Sequence, residues 1–112
     1  MSCKITYSPH FVKELKRLAK KYHSIKQDYA NLLISLKGNP TQGADLGQGI
    51  RKVRMAIASK GKGKSGGARV ITYTVLIATS DAEVKLLTIY DKSEKATITD
   101  NEIQKLRRAN GI

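Results

Sequence analysis

Between positions 51 and 69 stand seven cations and no acid: Arg51, Lys52, Arg54, Lys60, Lys62, Lys64 and Arg69. Side chains of these types hold phosphate. Arginine offers a planar fork to two oxygens and lysine a compact point charge. Both stabilise negative charge as it builds on a phosphorus centre. Gly61, Gly63, Gly66 and Gly67 interleave with the lysines, and glycine lets a backbone approach a phosphate chain closely. The run Gly63-Lys64-Ser65 does not complete a P-loop, because Ala58 stands where that pattern needs glycine and a strand follows where it needs a helix. Lys52 and Arg54 are two apart and share one face of a strand. Arg69 opens the next strand and returns beside them across a loop. Tyr73 is in phase with Arg69 and serves equally well as a stacking ring for a base or as a core residue. Lys92 and Lys95 follow the last strand and are expected to converge on the same cluster. Cations around an aromatic ring suit RNA. Arg51, Lys60, Lys62, Lys64 and Tyr73 are the candidate RNA contacts. His10 and His23 lack a ligand-like spacing, and no metal site or cofactor is expected. The single cysteine, Cys3, reads as a core residue.

These residues must be carried by something folded. The chain has 112 residues, a formal net charge of +12 and 40% hydrophobic residues. That is too apolar for a disordered polycation and long enough for one modest core over residues 1–112. One cysteine excludes a disulfide scaffold and suits a reducing compartment. No apolar run approaches the roughly 18 residues that cross a bilayer, and no signal peptide opens the chain. The expectation is a cytoplasmic protein with a polyanionic partner and no membrane contact. Two further basic groups, Lys13 to Lys21 and Lys105 to Arg108, also read as solvated helix faces.

Residues 4–7 are β-branched and aromatic and predict a strand. Ser8-Pro9 caps a helix whose stripe is Phe11, Leu15, Leu18 and Tyr22. Ser24 to Gln27 reads as a capping box for a second helix, which Gly38 and Pro40 stop. Residues 41–49 read as a loop. The period then falls to two: Val53, Met55 and Ile57 alternate with Lys52, Arg54 and Ala56. Residues 59–67 form a long Gly/Lys loop, 68–78 a central strand and 83–90 another. Thr99 to Glu102 is a second capping box, opening a short last helix. The order is β-α-α-β-β-β-α. It predicts an α+β fold: an antiparallel meander, an αα-hairpin on one face and a short C-terminal helix.

This order, with Arg51-Lys52-Val53-Arg54, Gly66-Gly67-Ala68-Arg69-Val70-Ile71-Thr72-Tyr73 and Ile89-Tyr90-Asp91-Lys92-Ser93-Glu94-Lys95 before a capped helix, resembles the RelE/ParE superfamily of bacterial toxins. The second and third stretches look most like its HigB-like branch. The resemblance spans nearly the whole chain. It implies a RelE-like fold and a toxin of a type II toxin–antitoxin pair. Such a toxin enters the ribosomal A site and cleaves messenger RNA there. It implies a cognate antitoxin, HigA-like, with a helix-turn-helix domain. By position the family's active-site cations fall on Lys52, Arg54, Arg69, and Lys92 or Lys95. The RelE type also places a tyrosine in or before the last helix. Here that stretch is Ala96-Thr97-Ile98-Thr99, so the general base is unassigned.

RNA cleavage without metal turns the 2′-OH on its own 3′ phosphate. Lys52 beside Arg54 and Arg69 is the candidate base, and Lys95 the candidate acid for the leaving 5′ oxygen. Two other readings stay open. One is a ParE-like toxin that binds DNA gyrase and cleaves nothing. The other is an RNA-binding module without catalysis.

Overall fold

The structure, a computed structural model, describes residues 2–112. Its elements are β1 (Ser2–Tyr7), α1 (Pro9–Lys21), α2 (Ile25–Gly38), β2 (Ala44–Gly47), β3 (Ile50–Met55), β4 (Ala68–Ala78), β5 (Asp81–Asp91) and α3 (Asp100–Ala109). The strands form one five-stranded sheet in the order β1-β5-β4-β3-β2. The chain is α+β, with a RelE-like arrangement. The meander β3-β4-β5 is antiparallel as expected. β1 differs: it runs parallel to β5, because the αα-hairpin returns the chain across the sheet before the meander begins.

The Ser8 hydroxyl starts α1 twice over. It accepts from the Phe11 N–H at 3.0 Å and donates to the Leu87 carbonyl at 2.9 Å. One bond caps the helix and the other ties it to β5. Ser24 behaves otherwise than its sequence context predicts. Its backbone is helical and its side chain caps nothing in α2. The hydroxyl instead donates to Asp28 Oδ2 at 2.7 Å and accepts from the Ser59 N–H at 2.9 Å. A tertiary partner has displaced the local one.

Residues 44–47, expected as loop, are strand β2 at the sheet edge. They pair antiparallel with β3 through a bulge, and all four are exposed. No side chain there is buried, so no period-two signal is written in the sequence.

The core has two parts, one on each side of the sheet. Phe11 and Leu18 of α1 and Ile25, Leu32 and Leu36 of α2 pack on Val53, Met55, Val70, Val84, Leu86 and Ile89. Ile50, Ile71, Leu87 and Tyr90 point the other way and meet Ile98, Ile103 and Leu106. α3 thus lies on the face opposite the hairpin. The apolar residues of that second face need cover, and α3 is the one amphipathic element left to give it. Its Thr99–Glu102 capping box forms as predicted.

Asp91 closes β5 with no exposed surface. It accepts from Lys60 Nζ at 2.8 Å, Tyr22 Oη at 2.5 Å, Ser93 N at 2.9 Å and Ser93 Oγ at 2.7 Å. Burial alone would raise the carboxyl, but the donors from Lys60, Tyr22 and Ser93 outweigh it and hold it well below the usual carboxylate range. Because the folded-state value is depressed, the stabilisation is complete above the ordinary carboxylate pKa. It is lost as pH falls toward the folded-state value. Asp91→Asn is expected to cost about 3 kcal/mol in urea unfolding at neutral pH, since it strands a buried lysine. The difference from wild type should shrink as pH drops below about 4. An unchanged difference down to the acid limit would contradict this assignment.

Candidate functional site

β3 carries its apolar residues, Val53 and Met55, toward the hairpin and turns Lys52 and Arg54 to the other face. The register then places Arg69 of β4 directly opposite Arg54. Lys92 follows β5, and its N–H donates to the Gly67 carbonyl at 3.0 Å, which brings it beside the same loop end. Lys52, Arg54, Lys64, Arg69 and Lys92 line one cleft of about 560 Å³. Among the described residues no carboxylate lines it.

The wall of the cleft is backbone that sequence reasoning missed. Gln42, Gly43 and Ala44 form it. Gly43 has φ +100°, and a Cβ there would sit 2.6 Å from the Lys52 carbonyl oxygen. The first of the three glycines at 43, 47 and 49 was the available signal. A close backbone approach is what it serves.

Arg69 is only 6% exposed. Its guanidinium donates to the carbonyls of Lys64 (3.0 Å), Ala68 (3.2 Å) and Ser65 (3.1 Å). It has no ion-pair partner among the described residues. A buried cation faced only by carbonyl dipoles keeps its field, and four more cations around it reinforce that field. The field in the cleft is positive, and its mixture of forks and point charges has the chemistry that suits phosphate.

Five residues proposed from the sequence lie elsewhere. Lys60 points inward: its ammonium bonds Asp91 and lies 5.5 Å from the Tyr22 ring centroid. Lys95 is held by Glu102 and sits 5.8 Å over the Tyr90 ring. Tyr73 packs with the second core, its ring against Gly49. Arg51 shares the Val53 side of β3 and pairs across to Asp45. Lys62 is exposed on the loop and packs on Gly66. The reason is common to all five. Charge or aromaticity marks a residue, but the direction of the chain aims it.

Lys95 borders a second groove, of about 750 Å³, between α1 and α3 at the end of β5. Its surface is mainly apolar. Arg17 is already paired with Glu14 and Glu94, and Lys95 with Glu102. Little field is left there for a phosphate. Tyr90 borders this groove and stands opposite Arg69 in the sheet register. Burial pushes its phenol up, against the smaller pull of Arg69 and Lys95. That direction disfavours it as a general base near neutrality.

A family model described as the RelE toxin of the RelE/RelB toxin–antitoxin system matches residues 10–112, all of α1 after Pro9 through the end of the chain.

The two loop lysines should separate cleanly by stability. Lys60→Ala leaves Asp91 without its main cation and should cost about 3 kcal/mol. Lys62→Ala should stay within about 0.5 kcal/mol. Urea denaturation at neutral pH measures both, and equal effects would refute the inward placement of Lys60.

Proposed function

The chain belongs to the RelE toxin family, and from that premise we propose that it arrests translation by cleaving messenger RNA on the ribosome, with the cationic cleft as its active site. The family makes it a toxin of a toxin–antitoxin system with a cognate antitoxin as partner. The observation that carries the finer reading is the cleft itself. Five cations surround it without a carboxylate, one of them nine-tenths buried. Such a site holds a phosphodiester and stabilises the extra charge that develops when a 2′-OH attacks it.

Lys52, Arg54 and Lys92 reach the phosphate in this reading, with Lys64 from the loop. In this reading Lys52 takes the 2′ proton, the new 2′-O–P bond displaces the 5′ oxygen to leave a 2′,3′-cyclic phosphate, and the 5′ oxygen takes its proton from water. The ribosome orders the RNA for in-line attack, so a small catalytic set suffices. The formal net charge of +12 favours ribosomal RNA as the docking platform. A cytoplasmic location follows from that target. Among the described residues no helix is long and apolar enough to cross a membrane. The HigB-like motifs support a helix-turn-helix, HigA-like antitoxin. A second reading, occupation of RNA without cleavage, is favoured by one observation. Residues 96–99 hold no tyrosine, and Tyr90 is buried and pushed upward. The cationic cleft argues against a gyrase-directed toxin.

In a translation extract analysed by toe-printing, wild type should cut messenger RNA only in the presence of ribosomes. Lys52→Ala and Arg54→Ala should each lower the cutting rate by about 100-fold. DNA gyrase supercoiling should be unaffected. Cutting at the wild-type rate by both variants would remove the cleft from the reaction. Translation arrest without any cut would leave the occupation reading.

A further inference from the structure

Arg69 was expected to contact substrate, yet three of its N–H groups are bonded to the chain. A guanidinium has five such donors. They go to Lys64, Ser65 and Ala68, that is, to the exit of the Gly/Lys loop. The loop is built unevenly around these bonds. At its foot Gly67 is wedged against β3, where a Cβ would lie 2.3 Å from the Met55 carbonyl oxygen. The Gly67 carbonyl is also tied to the Lys92 N–H. At its head Gly61 and Gly63 have φ of +70° and +64°, with open space around both. Lys62 is exposed there, while Lys64 lines the cleft. The backbone that carries Lys64 is therefore the part that Arg69 grips.

We propose that Arg69 is a positioning residue: its planar fork latches the loop at Lys64 and Ser65, and thereby fixes the Lys64 ammonium in the cleft. This rests on the reading of the cleft as an RNA site. Arginine is needed for its geometry, because one rigid fork spans carbonyls of three residues. A lysine at the same place keeps the charge and loses the span.

The test combines proteolysis with RNA binding. Trypsin cuts after lysine, so nicking at Lys62 and Lys64 reports loop opening without any reference to RNA. Arg69→Lys should speed this nicking about tenfold while the protein stays folded by circular dichroism. Affinity for a short single-stranded RNA should fall about tenfold in Arg69→Lys and equally in Lys64→Ala, one charged contact being lost in each. Each should lower the salt slope by about one. The double variant should be no weaker than either single, because both remove the same contact. Lys62→Ala, outside the cleft, should leave the affinity unchanged both in wild type and in Arg69→Lys. Losses that multiply between positions 64 and 69, or nicking at the wild-type rate, overturn the proposal. Arg69→Gln serves as a second variant, and if neither folds, Arg69 is a core residue and the latch is wrong. If wild type binds no RNA, the reading of the cleft fails, and the nicking rate still decides whether Arg69 holds the loop.

Discussion

The buried carboxylate of Asp91 ties three separate segments of the chain together at one point. Its donors come from the end of α1, from the turn after β3 and from the turn after β5. Asp28 does similar work one step away, accepting the Ala58 N–H at 3.2 Å from within α2. Both carboxylates grip the start of the long β3–β4 connection. In a chain with 21 cations and nine acids, spending acids at these positions has a consequence. The connection is anchored at its base by acids on the hairpin side, and the opposite face of the sheet is left to cations.

The division of the sheet follows from that anchoring. One face is buried by the αα-hairpin. The other is shared between an apolar half under α3 and a cationic half that remains open. Alternation along β3 writes both fates into one strand: Val53 and Met55 inward, Lys52 and Arg54 outward. Cations held this close repel one another, and an arriving phosphate relieves the repulsion.

Much of this is legible in the sequence alone. The Ser8 and Thr99 caps, the stripe through Phe11 and Leu18, the alternation of β3 and the dense β-branched run of β4 all formed where their local patterns lie. Of the acid-free cationic stretch, Lys52, Arg54, Lys64 and Arg69 line the cleft. What failed was of another kind. β2 was invisible because it buries no side chain. The Ser24 cap was lost to a partner 35 positions away. Lys60, Lys95 and Tyr73 carry the right chemistry but are aimed at Asp91, Glu102 and the second core.

The sequence by itself determined the three helices, the four strands that bury side chains, which of their faces are apolar and where positive charge accumulates. These properties depend on neighbours within a few positions, through capping bonds and side-chain period. Only the tertiary structure decided that β1 lies parallel to β5, that α3 covers the second face, and which five of the cations share a cleft. Those choices rest on burial and hydrogen bonding between residues far apart in the chain. A cation's own type and spacing carry no record of the carboxylate or carbonyl that will hold it.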